Sequence, residues 1–175
     1  MSPFARGAAS VAAPAFLAVL ALAPFAARGA ETSATYASRE LAPEAALKAA
    51  QAALASCRAA GYQVTVAVVD RAGLVRVVLR DRYAGPHTLD VSTNKAWTAA
   101  TTRTPTSELA KITRPGDALA GLREVPRITA LAGGLPVEAG GTLLGGIGVS
   151  GAPGGEADER CAKAGLAAIA DDLEF

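Results

Sequence analysis

A single imidazole stands in this chain, His87, in the loop Tyr83-Ala84-Gly85-Pro86-His87-Thr88. A zinc site draws three or four His, Cys or carboxylate ligands into close array, and the sequence offers no such cluster around His87. A haem iron asks less of a chain, because one axial His, Cys, Met or Tyr can hold it. If export removes Met1 and oxidation occupies Cys57 and Cys161, what remains as a strong ligand is His87, or a tyrosine such as Tyr62 or Tyr83. His87 reads equally well as a surface residue of a glycine-proline loop.

A second group could hold the carboxylates of such a ligand. Asn94-Lys95-Ala96-Trp97-Thr98-Ala99-Ala100 places Lys95 among alanines, with Arg80, Arg82, Arg103 and Arg114 near it in the sequence. Guanidinium and ammonium groups both bind carboxylates, the planar guanidinium in two-point fashion. Lys95 as a plain solvated side chain is the competing reading, and Trp97 is expected in the core.

Two further motifs lose their chemistry on inspection. Gly146-Ile147-Gly148-Val149-Ser150-Gly151 matches G-x-G-x-x-G. A dinucleotide fold, however, needs another parallel strand after the helix, ending in an acidic residue about 20 positions on, and here one helix precedes the end at Phe175. The glycines are better explained by tight packing and a sharp turn. Ser150 lacks the flanking pattern of a nucleophile elbow and is expected as a helix cap or turn residue.

The remaining chain must position these residues. With 175 residues, 17 basic and 16 acidic side chains and a net charge of +1, it has the length of one domain and no basic block for nucleic acid or an anionic membrane. Arg6 followed by the uncharged run Val11–Ala27, through Phe16, Leu17, Val19, Leu20 and Leu22, reads as an export signal. The run is short for a span and carries Pro14 and Pro24. The expected organisation is a signal peptide over 1–30, an arm or linker over 31–40 and one domain over 41–175, periplasmic or secreted, with no membrane segment after cleavage. In an oxidising compartment Cys57 and Cys161 are disulfide candidates, subject to the fold letting them meet.

Within the domain, Pro43 at a first helical position, the alanine-rich Glu44–Ala60 and the stop Gly61 predict a helix. Its stripe Leu47, Ala50, Leu54 and Cys57 should face the core. The β-branched run Tyr62–Asp70 predicts a central strand. Asp70-Arg71-Ala72-Gly73 predicts a tight turn into Leu74–Arg80, with Val75, Val77 and Leu79 on one face and Arg76 and Arg80 on the other. Helices are expected over Leu89–Thr102 and briefly around Thr106–Lys111, with a loop over Thr113–Gly121. Strands are expected over Arg127–Ala132, Leu135–Glu138 and Thr142–Ser150. The last helix should run Gly155–Asp172, with Ala162, Leu166, Ile169 and Leu173 on one stripe. Hairpins dominate this order, so the sheet should be antiparallel with helices over its faces.

Five segments in this order resemble one known family: Val66-Ala67-Val68-Val69-Asp70-Arg71-Ala72-Gly73, Asn94–Ala99, Gly133-Gly134-Leu135-Pro136-Val137, Gly145–Ala152 and Asp158-Glu159-Arg160-Cys161-Ala162. They resemble the GlcG/HbpS family of haem-binding or haem-degrading domains, related to the C-terminal domain of PduO proteins, over Leu41–Leu173. The resemblance implies a profilin-like α/β/α sandwich of the α/β (α+β) class with a central antiparallel sheet, homo-oligomers, and haem or iron as ligand. It brings the first and last helices together, and with them Cys57 and Cys161 as a disulfide. It admits threonine as an iron-contacting residue, with Thr101, Thr102 and Thr113 as candidates, whereas His87 rests on chemistry alone. The loop Arg80–His87 departs from the family pattern. The functional expectation is an exported haem- or iron-binding protein, set against an enzyme of haem degradation or small-molecule metabolism and against an oligomeric module that binds a protein partner.

Overall fold

Pro43 opens the first helix at a position where its missing N–H costs nothing, and Gly61, at φ +82°, ends the segment. The computed structural model describes residues 34–173. The expected export signal, residues 1–30, lies outside the described residues, as do 31–33 of the expected arm. Helix α1 spans Pro43–Ala59 and buries Ala46, Ala49, Ala50, Ala53, Leu54 and Cys57. Leu47, expected on that stripe, is 40% exposed instead. Small residues carry the contact because the last helix, α4 (Gly155–Ala167), lies close by. A Cβ on Gly165 would stand 2.7 Å from the Ala49 carbonyl oxygen. The two helices are bridged by Cys57–Cys161, with Cα atoms 5.5 Å apart.

Strand β1, Thr65–Asp70, is buried along its whole length. Its hairpin partner β2, Val75–Arg80, starts after a turn in which Asp70 Oδ1 accepts the N–H groups of Ala72 and Leu74, both at 2.9 Å, and Gly73 takes φ +79°. Val77 and Leu79 pack on the core. Val75, expected with them, is 50% exposed, at the register shift opposite Val68 and Val69.

Helix α2 (Thr88–Thr102), the short α3 (Thr106–Ile112), β3 (Gly134–Ala139) and β4 (Thr142–Ser150) complete the order before α4. The four strands form one antiparallel sheet in the order β2-β1-β4-β3. Helices α1 and α4 cover one face with the larger core, and α2 covers the other through Ala96 and Ala100 against Ala67 and Val69. This is the three-layer α/β/α arrangement expected. Among the described residues no helix is long and apolar enough to cross a membrane.

Three expectations need correction. Arg127–Ala132 is not a strand. Arg127 takes φ +74°, and Thr98 Oγ1, on α2, donates to the Arg127 carbonyl and accepts the Thr129 N–H at 3.0 Å. A helix side chain thus satisfies backbone groups that a neighbouring strand would otherwise bind. Helix α4 ends at Ala167, and a short 3-10 turn at Asp171–Leu173 follows, although Ile169 stays buried. Trp97 is half-buried rather than in the core. It covers the hairpin turn, where a Cβ on Gly73 would meet its Cδ1 at 2.5 Å, and the Arg127 guanidinium lies 4.6 Å from its ring centroid.

Two glycines of the G-x-G-x-x-G string, Gly146 and Gly148, lie inside β4, directly under α2, and Gly151 follows the strand at φ +131°. A Cβ on Gly148 would run into the Ser92 carbonyl oxygen and stand 2.5 Å from Ala96 N, and one on Gly146 would run into the Ala96 carbonyl. They let helix backbone rest on strand backbone. Gly148→Ala is expected to cost roughly 2–3 kcal/mol through overpacking; an unchanged urea midpoint would contradict so close a contact.

Candidate functional site

A lysine surrounded by apolar helix surface needs a partner for its charge, because an isolated buried ammonium is costly. Lys95 projects from the middle of α2 and is buried. Its Nζ donates to the Val149 carbonyl at 2.9 Å and to Asp158 Oδ2 at 2.8 Å. Asp158 Oδ1 accepts the Ala152 N–H at 3.0 Å. The pair therefore ties α2, the end of β4, the turn after it and the first turn of α4 to one point. Burial raises the Asp158 carboxyl above the ordinary carboxylate value, against the opposing pull of Lys95 and the Ala152 N–H.

This pair forms the floor of a cleft of about 960 Å³. His87 and Val91 enter it from the start of α2, Ala110 and Arg114 from α3 and its exit, and Leu131 and Ala132 from the segment before β3. The far wall is the Ser150–Gly155 turn with Glu156, Glu159, Arg160 and Lys163 of α4. The His87 ring lies over Gly85, where a Cβ would come 2.7 Å from Cε1, so a larger residue there would shift the ring. Burial alone would raise Glu159. The Lys163 ammonium at 2.8 Å, with Ser107 and Lys111 adding to it, outweighs burial and holds the group below its ordinary value. Small-molecule and cofactor pockets span about 300–1,000 Å³, so a cleft of this size suits an organic cofactor.

Of the residues singled out from sequence, the structure brings His87 and Lys95 to the cleft, with Arg114 at its rim. Lys95 is neither solvated nor free for ligand carboxylates, since its charge is spent on Asp158. Tyr83 is 79% exposed and does not line the cleft. Arg80, on the outer strand β2, donates to the Ala84 carbonyl. That loop is tied down at its base, where Arg58 binds Asp81 at 2.7 and 2.9 Å and holds the Asp81 carboxyl below its usual range. Tyr62 packs on the core shared by α1 and α4. Thr102 Oγ1 donates to the Thr98 carbonyl at 2.8 Å, within α2. Thr113 is buried, donating to the Leu109 carbonyl at 2.7 Å and accepting from Arg123 Nε at 3.0 Å. Neither threonine lines the cleft, and Thr101 is exposed away from it. Ser150 is not a helix cap: α4 is capped by Gly154, and Ser150 ends β4 on the cleft wall.

Sequence reading missed Asp158, Glu159, Arg160 and Lys163 as cleft residues. A signal for Asp158 was present. Lys95 sits on a helix stripe of buried alanines, a position where lysine is found only with a carboxylate partner.

The family model described as haem degrading protein HbpS-like matches residues 41–167. A crystal structure of an HbpS double mutant from Streptomyces reticuli is 46% identical, with a TM-score of 0.73 over 85% of this chain and 98% of that one. A crystal structure of a PduOC–haem complex is 31% identical, with a TM-score of 0.70 over 74% of this chain and 95% of that one. An uncharacterised 15.0 kDa protein from the dhaT-dhaS intergenic region of Citrobacter freundii is 38% identical over 109 residues, 61% of this chain and 77% of its own length. By family match and by superposition together, this chain belongs to the HbpS-like family and is related to the PduO C-terminal domain.

Proposed function

We propose that this chain is a haem-binding protein, exported to the periplasm or secreted, that works as a carrier, buffer or sensor accessory. The observation that carries the reading is the haem complex of the related PduOC structure. The cleft fits such a group. His87 supplies an imidazole of the kind that serves as a haem axial ligand. Val91, Ala110, Leu131 and Ala132 offer apolar surface to a macrocycle, and arginines stand at the rim. Bound haem would supply the iron chemistry; the chain's own residues bind the macrocycle, orient it and limit water at its face. His87 would hold the metal, and Thr102 and Thr113 have their hydroxyls committed to helix carbonyls.

Titration of the protein with haemin is expected to give a saturable Soret shift. Free-haemin spectra at every ratio would reject the reading. His87→Ala is expected to move the band and weaken binding about tenfold or more, the scale of losing one strong polar contact; an unmoved band removes His87 as ligand.

Export is supported by the Arg6 and Val11–Ala27 pattern and by the Cys57–Cys161 bridge, since disulfides persist in oxidising compartments. Its check is the mass of the protein from the extracytoplasmic fraction, which should lack about 30 N-terminal residues. The family description favours one second reading, oxidative haem degradation. Incubation with haem and a reductant under air separates the two: an intact porphyrin supports binding alone, and open-chain products support the enzyme. Homo-oligomers, expected from the family resemblance, would be read by light scattering.

A further inference from the structure

We infer that Arg114 and Arg160 form a carboxylate-anchoring pair at the rim of the cleft, so that its ligand class is a macrocycle bearing free carboxylates. This rests on the haem-binding reading and adds which part of the ligand the chain selects.

Five Lys and Arg side chains line the cleft: Lys95, Lys111, Arg114, Arg160 and Lys163. Lys95 is bound to Asp158 at 2.8 Å, Lys163 to Glu159 at 2.8 Å and Lys111 to Glu108 at 3.2 Å. Among the described residues neither the Arg114 nor the Arg160 guanidinium has an ion-pair partner. Glu156 is an exposed carboxylate on the same wall, and it disfavours an anion placed beside it. Each lysine of the cleft thus has a carboxylate partner within the protein, and the two cations without one among the described residues are both the planar type suited to two-point carboxylate binding. They come from different elements, the exit of α3 and the second turn of α4. The propionates of haem leave one edge of a flat ring on flexible stems, and each would take one guanidinium as partner, with Val91 and Leu131 as apolar lining for the ring.

The test compares haemin with its dimethyl ester, which keeps the ring and iron and removes both charges. The native protein is expected to prefer haemin by about tenfold, the combined effect of two rim charge pairs in water. Arg114→Gln with Arg160→Gln should abolish that preference while leaving affinity for the ester within about twofold. Arg82→Gln, the same kind of substitution at one exposed position outside the cleft, should keep it. Equal binding of acid and ester by the native protein overturns the anchoring pair and leaves haem binding standing. Retained preference in the double variant, or its loss in Arg82→Gln, overturns the assignment to these arginines. Binding of neither ligand overturns the haem reading and this inference together.

Discussion

Asp158→Ala is expected to destabilise the protein by about 3–5 kcal/mol, the cost of leaving a buried charge without its partner. The side chain does two jobs at the cleft floor, holding Lys95 Nζ at 2.8 Å and the Ala152 N–H at 3.0 Å. Its removal leaves an ammonium with only the Val149 carbonyl for company. Lys95→Met should cost a similar amount, because it leaves a carboxylate whose burial already outweighs the help Lys95 gives it. The informative variant is Lys95→Met with Asp158→Leu. Desolvation of a buried pair can exceed its Coulombic gain, so the apolar pair should recover most of the loss. Urea midpoints across this cycle check the coupling; additive losses would mean that the two side chains do not act as a unit.

The pH dependence has a definite sign. Burial holds the Asp158 carboxyl in the folded state above the ordinary aspartate value, so between that value and its folded pKa the folded protein binds the proton more tightly than the unfolded chain. Stability relative to the apolar pair should therefore fall as pH rises through this window and level off above it. A relative stability that rises there would reverse the assignment.

Reduction of the Cys57–Cys161 bridge, or its replacement by two alanines, is the second large effect. The bridge joins residues 104 positions apart. A chain-entropy treatment gives about 4–5 kcal/mol for closing a loop of that length in the unfolded chain, within a usual range of about 0–5. The loss should therefore approach the upper part of that range, about 3–5 kcal/mol. The native contacts should survive, because α1 and α4 also meet through Ala49, Ala53 and Gly165. Guanidinium melts with and without a reductant read the difference. Coincident midpoints, with the thiols shown to be free, would mean that the bridge adds no stability.

Local patterning was enough to place most elements. The β-branched run ending in Asp70-Arg71-Ala72-Gly73 announces a buried strand and a tight turn, and both formed, with the Asp70 carboxylate capping the turn. Pro43 and Gly61 bracket α1 for reasons that lie in their own backbones. Patterning misled where a distant group took over a local role. Residues 127–132 have the composition of a strand, yet Thr98 captures their backbone. Leu47 lies on the predicted stripe, yet α1 meets α4 so closely that alanines make the contact.

The chemistry-bearing residues divide the same way. His87 was visible because it is the sole imidazole and stands on a loop that glycine opens. The role of Lys95 was not, because its partner lies 63 positions away and the two meet only through the strand order β2-β1-β4-β3 with α2 laid across β4. The same packing turned a nucleotide-like glycine string into a seat for a helix, and it sorted paired lysines from unpaired arginines. Sequence by itself determined most of the elements, the buried strand β1 and the family resemblance, because these follow from side-chain period, backbone conformation and residue order. The tertiary structure alone decided which charges are spent and which face the cleft, because ion pairing depends on distances between residues remote in the chain.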